Sequence, residues 1–492
     1  MALRLYNTLS GQIEELAPRD GQPLGIYACG PTVYDYGHIG NFRTFIHVDI
    51  LRRFLEQQGV PLRHVMNITD VDDKIIRNAA AAGVSIHDYT PKYERAFQED
   101  LKILRIEQPE YIARATEHLP EMVALIEQLI AKGAAYRGDD GSYYFRIASF
   151  PAYGKLSKKD LSGMEDGARV DLDEYEKDSA RDFALWKAAK PGEFHWETSL
   201  GSGRPGWHIE CSAMAMRYLG DSFDLHAGGE DLMFPHHENE IAQSESATGK
   251  TFARHWMHVR FLLVEGKKMS KSAGNFFTLR DLLLRGYKAS TIRFLLTSVP
   301  YRNPLNFTFD GLRESTNAVE RLRSFVERLR NGKFPDGVNP ELAATTEKAQ
   351  ASFIAALEDD LNTAEARAAI FDLVRAVNTA ADRDELGSGD VDPILKVMAR
   401  FDEIFSVLED HDEEATRFAL EWARNEGRLD TATTDALAGY TLSDAEIEAR
   451  VTERNAARKS RDFAGADAIR NELAEKGILI EDGKDGVRWR RK

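Results

Sequence analysis

The chain has 492 residues, of which 43% are hydrophobic and 29% charged, a composition typical of a globular protein with several domains. It contains no apolar run of about 20 residues and no charged-then-apolar leader, so it predicts neither a membrane span nor a signal peptide. Its net charge of −16 argues against a general nucleic-acid-binding protein.

The cysteine content indicates the compartment. Only Cys29 and Cys211 occur, separated by 182 positions, and two cysteines cannot form a disulfide framework for a chain of this length. A cytoplasmic protein is therefore predicted. A single disulfide between the two residues is the less favoured alternative.

The first part of the chain, to about residue 120, alternates apolar runs with amphipathic stretches. Buried strands are predicted at 24–27 and 61–69. A helix is expected after the first strand until Gly59, and another begins at 70–74 with acidic residues in its first turn, where the helix dipole favours them. This order indicates a parallel sheet with crossover helices.

A Gly-rich turn at 28–41 connects the first strand to its helix. Such a turn directs backbone N–H groups and a helix N-terminus towards an anion, usually a phosphate, although glycines alone often serve only a tight turn. In a parallel sheet, ligands bind beyond the carboxyl ends of the strands. Cys29, His38 and Thr69 all lie at or just beyond such ends.

The pattern changes between about 120 and 200. A helix at 120–132 leads into the aromatic run 142–146 and then into a polar segment rich in Asp, Glu, Lys and Gly. Strand signals return at 223–226 and 257–264, each followed by glycines and polar residues. The segment is therefore predicted to be an insertion between two halves of the sheet domain.

The remainder of the chain after Phe307 is predicted to be almost wholly helical, with breaks at 331–337 and 386–390. Apolar residues at three- and four-residue spacing in 352–378 favour a structural bundle. A polar run at 427–441 is predicted as a linker. The last part, about 442–492, is predicted to form a helix pair, a short strand at 478–480 and a basic tail.

Basic residues are concentrated in this last part. Between 450 and 470 there are six basic and three acidic residues, and the tail at 487–492 adds an aromatic residue among cations. This composition suits a polyanionic partner, while a solvated surface is the simpler alternative.

Four residues could form a metal site. His236 and Glu240 are spaced i and i+4, and with Cys29 and Cys211 they offer two thiolates, one imidazole and one carboxylate, a set that suits zinc. The usual close pair of cysteines is missing, so spacing alone does not decide the site. His237 is an alternative ligand, although only His236 has the i+4 partner.

A second group of residues predicts a nucleotide site. Lys268 and Lys271 lie in a loop after a strand, where two ammonium groups can neutralise charge that develops on a triphosphate. The turn at 228–231 offers close backbone approach at Gly229 and a carboxylate, Asp231, for a ribose hydroxyl. Together with the Gly-rich turn, these residues indicate an ATP site that activates a group for transfer.

Two segments resemble the paired signatures of class I aminoacyl-tRNA synthetases. They are His38-Ile39-Gly40-Asn41 and Lys268-Met269-Ser270-Lys271-Ser272. Flanking segments narrow the resemblance to the cysteinyl-tRNA synthetases, and it covers nearly the whole chain. These segments are 27–35, 206–212, 231–240, 356–363 and 462–473.

The resemblance implies an α/β fold with a Rossmann-type catalytic domain split by an insertion, followed by an all-α bundle of the DALR type and a small anticodon-binding domain. The implied boundaries are 1–120 and 201–305 for the two catalytic halves, 121–200 for the insertion, 306–425 for the bundle and 442–492 for the last domain.

The resemblance also implies roles for individual residues. Cys29, Cys211, His236 and Glu240 match the four zinc ligands of the family. Thr69, Trp207 and His226 would line the amino-acid pocket. His38 and Asn41 would contact the ATP phosphates, with Gly229 and Asp231 also in the ATP site, and Lys271, with Lys268 beside it, would stabilise the transition state.

The implied reaction joins cysteine to tRNA-Cys through a cysteinyl-adenylate. One zinc ion per chain would bind the thiolate of the substrate, and Mg²⁺ would accompany ATP. The resemblance implies three partners, which are L-cysteine, ATP and tRNA-Cys. It also implies that the protein is a monomer. One departure is visible, because the class-wide signature ends in His and position 41 is Asn, which donates a hydrogen bond but carries no charge.

Two other functions compete with this one. A class I ligase that joins cysteine to a small amine, such as the amino-sugar ligase of mycothiol synthesis, resembles the catalytic half but needs no anticodon domain, so the basic segment from Arg450 onward argues against it. A non-catalytic RNA-binding or zinc-storage protein would not need both Lys268 and Lys271.

Overall fold

The computed structural model describes residues 3–19, 21–158, 169–170, 182–437, 440, 442, 444–483 and 486–491. The strands are β1 (Arg4–Asn7), β2 (Gln12–Glu15), β3 (Leu24–Ala28), β4 (Leu62–Ile68), β5 (Tyr111–Arg114), β6 (Ala135–Arg137), β7 (Tyr143–Phe145), β8 (Arg169–Val170), β9 (Asp182–Ala188), β10 (Trp196–Thr198), β11 (Gly201–Pro205), β12 (Phe223–Gly229), β13 (Ala253–Val259), β14 (Leu262–Val264), β15 (Lys267–Lys268), β16 (Leu305–Phe307), β17 (Ile478–Gly483) and β18 (Gly486–Arg491).

The helices follow the same chain order. They are α1 (Ile39–Gln57), α2 (Asp73–Ala82), α3 (Ile86–Ile103), α4 (Leu119–Ala131), α5 (Trp207–Leu219), α6 (Glu238–Thr248), α7 (Leu279–Leu283), α8 (Ala289–Leu296), α9 (Phe309–Asn331), α10 (Pro340–Glu358), α11 (Thr363–Ala381), α12 (Ser388–Phe405), α13 (Asp412–Asn425), α14 (Thr431–Ala436), α15 (Asp444–Lys459) and α16 (Phe463–Glu475). None of these helices is long and apolar enough to cross a membrane.

A five-stranded parallel sheet in the order β13-β12-β3-β4-β5 forms the core of the first part of the chain. Every residue of β3 is buried, because α1 and α5 both pack on this sheet. The strands predicted at 24–27, 61–69 and 223–226 are confirmed, and the architecture confirms the predicted α/β class.

The strand predicted at 257–264 is wrong as a single element. The chain leaves the central sheet at Arg260, whose N–H donates to the carbonyl of Tyr301 at 2.8 Å. Strand β14 then pairs with β16 and β15 in a separate three-stranded sheet. A continuous apolar run predicts that its residues are buried, but it does not show whether they lie in one sheet or in two. The sequence therefore does not indicate that the chain passes from one sheet to another after β13.

A six-stranded sheet in the order β10-β11-β9-β7-β6, with the short β8 beside β9, covers the predicted insertion and extends beyond residue 200, because β11 belongs to it. Strand β11 leads directly into α5, which packs on the parallel sheet. The helix predicted at 120–132 is confirmed by α4, and the aromatic run at 142–146 contains β7. Part of the predicted polar segment, residues 159–168 and 171–181, lies outside the described residues.

Helices α9 to α13 form the bundle. The predicted break at 331–337 is found after α9, and the break predicted at 386–390 ends earlier than expected because α12 begins at Ser388. A further turn at 359–362 separates α10 from α11 inside the stretch with helical spacing. Asp360 and Leu361 occupy this turn with φ values of 59° and 49°. Positive φ values are uncommon for residues other than glycine, so the sequence does not indicate this turn.

The predicted linker at 427–441 contains helix α14, and residues 438–439 and 441 lie outside the described residues. The last unit has its own small core, formed where α15 and α16 pack on the hairpin of β17 and β18. The predicted helix pair and the strand at 478–480 are confirmed. The described part of the basic tail forms β18.

Candidate active site and metal centre

The carboxyl ends of β3, β4 and β12 meet at one edge of the parallel sheet. The N–H of Cys29 donates to the carbonyl of Ala227 at 3.0 Å, and the N–H of Thr69 donates to the carbonyl of Pro31 at 3.1 Å. Gly30 permits this approach, because a Cβ atom there would lie 1.8 Å from the backbone oxygen of Asn67.

A buried set of four donor atoms lies at this edge. The ligand atoms of Cys29, Cys211, His236 and Glu240 are all within 4.8 Å of one another. Cys211 comes from α5, Glu240 from α6 and His236 from the π-helical turn before α6. His236 Nε2 lies 3.2 Å from Glu240 Oε1. Two sulfurs, one nitrogen and one oxygen are a donor set that suits zinc.

Two further imidazoles reach the same place. His226 and His237 also form a set with Cys29 and Glu240 within 4.8 Å. His237 Nε2 lies 3.3 Å from Cys29 Sγ, and His226 Nε2 lies 2.9 Å from Glu240 Oε2. Distances alone therefore leave both sets open. Only the set with His236 contains both cysteines.

The candidate ligands are supported by polar contacts around them. His236 Nδ1 lies 3.0 Å from Nδ1 of His208. On the other side, His237 Nδ1 lies 2.8 Å from Nε2 of His258, whose Nδ1 lies 2.9 Å from Oγ1 of Thr8. Such partners orient the ligands of metal sites. Sequence reasoning missed His208 and His258. The one feature that could have indicated them is that they lie in elements next to the candidate ligands, α5 and β13.

Burial and neighbouring groups shift the pKa values of the donor set. Burial raises the pKa of the Cys29 thiol and of Glu240 well above their usual ranges. Burial acts in the same direction on Cys211, but the adjacent Cys29 and His236 hold the pKa of Cys211 well below its usual range. A buried dication would favour the charged form of all three groups, and both cysteines are free thiols.

Two of the residues expected to line an amino-acid pocket, Trp207 and His226, contact this cluster. The ring of Trp207 lies 4.3 Å from that of His236, and the ring of His226 stacks on Trp256 at 4.3 Å. The hydroxyl of Thr69 donates to Oε2 of Glu210 at 3.1 Å. Glu210 is a buried carboxylate that sequence reasoning did not single out.

His38 and Asn41 form a reciprocal cap at the start of α1. The N–H of His38 donates to Asn41 Oδ1 at 3.1 Å, and the N–H of Asn41 donates to His38 Nδ1 at 3.2 Å. Burial lowers the pKa of His38 to about 4. A neutral imidazole that accepts at Nδ1 carries its proton on Nε2, so this ring presents one N–H donor.

The loop with Lys268 and Lys271 lies against the Gly-rich turn. The methyl group of Met269 is 3.5 Å from the position of a Cβ on Gly40. Lys271 Nζ forms an ion pair with Asp35 and lies 5.2 Å from the centre of the Phe276 ring. Lys268 is exposed at the end of β15, and its carbonyl accepts a hydrogen bond from Asn275 Nδ2 at 3.1 Å.

The turn after β12 contributes the remaining predicted residues. A Cβ on Gly229 would lie 2.5 Å from Oδ1 of Asp231, so the backbone and this carboxylate are in close approach. The charge of Asp231 acts to raise the pKa of His38, against the larger effect of burial. The structure thus brings the candidate metal-binding residues, the capped helix start and the lysine loop to one end of the sheet.

Comparison with known protein families assigns the three parts of the chain. Residues 15–317 match the class I (C) catalytic domain of tRNA synthetases, 352–409 match the DALR domain, and 443–490 match the anticodon-binding domain of cysteinyl-tRNA ligase. The chain is 60% identical to the cysteine–tRNA ligase of Koribacter versatilis over 495 residues, with all of both chains covered. The chain belongs to the cysteine–tRNA ligase family.

Other members of the cysteine–tRNA ligase family match over similar lengths. The enzyme of Solibacter usitatus is 56% identical with 100% of both chains covered, and that of Chlamydia muridarum is 43% identical with 99% covered. The chain is therefore an enzyme, and the match of its last part disfavours the small-molecule ligase alternative, which needs no anticodon domain.

Solved structures show that the fold is shared more widely in class I. The Mycobacterium tuberculosis methionyl-tRNA synthetase in complex with methionyl-adenylate has a TM-score of 0.58 at 17% identity, with 85% of this chain and 94% of that chain covered. The Agrobacterium radiobacter LeuRS–tRNA–LeuAMS complex has a TM-score of 0.57 at 12% identity, with 82% and 87% covered.

Proposed function

We propose that this cysteine–tRNA ligase works through a cysteinyl-adenylate and selects its substrate with a zinc ion. A carboxylate oxygen of L-cysteine attacks the α-phosphorus of ATP, and pyrophosphate leaves. A hydroxyl of the 3′-terminal adenosine of tRNA-Cys then attacks the carbonyl carbon, and AMP leaves. Mg²⁺ accompanies ATP in this proposal.

The nucleotide part of the proposal rests on the groups around the start of α1. His38 offers its Nε2 proton to a phosphate oxygen, and Asn41 can use its Nδ2 in the same way while Oδ1 remains in the cap. Lys268 and Lys271 neutralise charge on the phosphates. Gly229 and Asp231 are assigned to the adenosine.

The donor set of Cys29, Cys211, His236 and Glu240 is the observation that carries the metal proposal. Zinc binds a thiolate far more strongly than a neutral alcohol, so it would separate cysteine from serine where an apolar pocket discriminates near-isosteres only about a hundredfold. We assign Thr69, Trp207 and His226 to the rest of the amino-acid pocket, and one zinc ion to each chain.

The domain division and the setting of the enzyme are also proposals. We assign residues 1–120 and 201–305 to the catalytic domain, 121–200 to the insertion, 306–425 to the bundle and 442–492 to the anticodon-binding domain. We expect a monomer that works in the cytoplasm, where free thiols such as those of Cys29 and Cys211 persist.

The proposal is tested by charging a bulk tRNA preparation with labelled cysteine and ATP, beside serine and a chelator-treated sample. We expect label in acid-precipitable RNA with cysteine alone, and loss of that label when the metal is removed. Release of pyrophosphate without label in RNA would instead support the small-molecule ligase. Lys271→Ala should abolish ATP–pyrophosphate exchange, and unchanged exchange would refute the role of this lysine.

The choice between the two donor sets is tested by metal content. We expect His236→Asn to lose bound zinc, measured by elemental analysis after exhaustive dialysis, because it removes a ligand. His237→Asn should retain zinc with reduced affinity, because it removes only a neighbour of Cys29. The reverse result would assign the ligand role to His237, and thermal unfolding of both variants controls for their folding.

A further inference from the structure

A basic groove lies beside the C-terminal half of α3, outside the active site described above. Four cations, Arg53, Arg95, Lys102 and Arg105, line a cavity of about 550 Å³, and Glu99 is the one acidic residue among its lining residues. We call it the α3 groove. It contrasts with a chain whose net charge is −16.

Two of these charged groups are engaged within the protein. Arg53 donates from Nε to Asp49 at 2.9 Å and from Nη2 to the carbonyl of Arg105 at 2.7 Å. Glu99 accepts a hydrogen bond from Arg280 at 2.9 Å, so its charge is compensated from outside the groove. Arg53 and Glu99 therefore shape the groove rather than attract a ligand.

The other three cations have N–H groups that form no hydrogen bond with the described residues. Arg105 uses Nη2 to bind Glu409 at 2.8 Å, while its buried Nη1 has no hydrogen-bond partner in the part of the chain that the structure describes. Arg95 and Lys102 are exposed, and neither forms an ion pair or side-chain hydrogen bond with any described residue. They are seven residues apart, so they share one face of α3 about 10 Å apart along its axis.

The α3 groove lies between two functional parts of the protein. The N-terminal half of α3 contacts the Gly-rich turn, because the Tyr89 hydroxyl donates to the carbonyl of Tyr34 at 2.9 Å. At the other end, Arg105 pairs with Glu409, close in sequence to Glu413, which binds Arg491 in β18. The groove thus lies between the active-site turn and the attachment of the C-terminal unit.

We propose that the α3 groove binds backbone phosphates of the tRNA, with Arg95 and Lys102 each pairing with one phosphate and Arg105 adding its positive charge to the groove. This inference rests on the proposed function, under which the tRNA extends from the active site to the anticodon-binding domain. Contacts of this type position a nucleic acid without reading its sequence.

Salt dependence separates this role from a structural one. In the Arg95→Ala/Lys102→Ala double variant, we expect the KM for tRNA to rise about tenfold at low salt, and the slope of log KM against log salt concentration to fall by roughly one for each lost phosphate contact. The rate of ATP–pyrophosphate exchange without tRNA should not change. A matched control is Lys333→Ala/Lys348→Ala, which removes two exposed cations near and on α10.

Each outcome decides between the proposals. An unchanged KM and salt slope in the double variant, with normal exchange, would refute the α3 groove as a tRNA site. Failure of the unmodified enzyme to charge tRNA would instead refute the proposed function. Iodine cleavage of phosphorothioate tRNA gives a second readout, in which the enzyme should protect specific phosphates and the double variant should lose that protection.

Discussion

Asn41 shows how one side chain can serve a helix and a substrate together. Its Oδ1 accepts the N–H of His38 in the reciprocal cap, which leaves its Nδ2 as a donor at the helix N-terminus. A neutral histidine at this position would also offer one acceptor and one donor, but on a larger ring. The departure of this residue from the class-wide signature is therefore compatible with a role in ATP binding.

Substitutions at Asn41 separate the two roles. We expect Asn41→Ala to lower the free energy of unfolding by about 1 kcal/mol, because a cap is lost. Asn41→Asp keeps the acceptor and should keep this stability, but it removes the donor and adds a negative charge, so its KM for ATP should rise. Chemical denaturation and exchange kinetics measure the two effects. A normal KM in Asn41→Asp would limit Asn41 to capping.

Asp35 forms an ion pair with Lys271. The two side chains are 34% and 61% exposed, so their ion pair is screened and contributes at most about 1 kcal/mol. Lys271 must leave Asp35 if it is to bind phosphates. We therefore expect Asp35→Asn to lower the KM for ATP by up to about fivefold.

Steady-state kinetics at low salt provide the measurement for Asp35. The matched control is Asp221→Asn, which breaks the exposed pair between Lys250 and Asp221. A higher KM for ATP in Asp35→Asn would show instead that Asp35 helps to bind the nucleotide or its magnesium ion.

At the scale of elements, the turn between α10 and α11 joins the bundle to the catalytic domain. Asp360 in this turn accepts hydrogen bonds from the N–H of Tyr6 at 2.8 Å, the hydroxyl of Tyr301 at 2.6 Å and Nε of Arg302 at 2.5 Å. These donors belong to β1 and to the segment before β16. One carboxylate therefore connects its own turn to two segments that are distant in sequence.

Replacement of Asp360 should loosen this junction. We expect Asp360→Ala to lower the free energy of unfolding by about 3 kcal/mol, because it leaves three donors without an acceptor and places a β-carbon without a polar group at a positive φ. Thermal unfolding and limited proteolysis between the domains measure the effect. The neighbouring exposed Asp359→Ala serves as the control, and equal effects of the two substitutions would contradict the assignment.

At the scale of the whole molecule, buried histidines make stability depend on pH. Burial lowers the pKa of His64 to about 4, and neither of its ring nitrogens has a hydrogen-bond partner within the described residues. In the unfolded chain the pKa of histidine is about 6.5. The unfolded state then binds more protons between these values, so stability falls as the pH falls from 6.5 towards 4.

His64→Leu should reduce this acid sensitivity. The loss of unfolding free energy between pH 6.5 and pH 5 is expected to be about 1.6 kcal/mol smaller in this variant, because the unfolded histidine is half protonated at pH 6.5 and almost fully protonated at pH 5. Denaturant titrations at the two pH values measure the difference. The exposed His87→Gln is the control, and an unchanged pH dependence in His64→Leu would show that His64 is protonated in the folded state.

The C-terminal unit shows why a basic composition does not by itself define a surface. Arg450 pairs with Glu472, while Arg454, only 3% exposed, forms two hydrogen bonds with Asp482, which also binds Arg458. These cations stabilise the unit. Lys459, Arg461, Arg470 and Arg488 are exposed without an ion pair in the described residues and are available to meet a polyanion.

Local spacing was sufficient for the sequence to predict the strand–turn–helix that begins at residue 24, the α/β class and the helical bundle. These features depend on neighbours in the chain, where the period of apolar residues and the positions of glycines are visible. Long-range contacts were decided only by the tertiary structure. Tertiary packing places His226 and His237 beside Glu240, and it lets Asp360 bind Tyr6 and Arg454 bind Asp482. No local sequence pattern encodes which distant partner a buried polar group contacts.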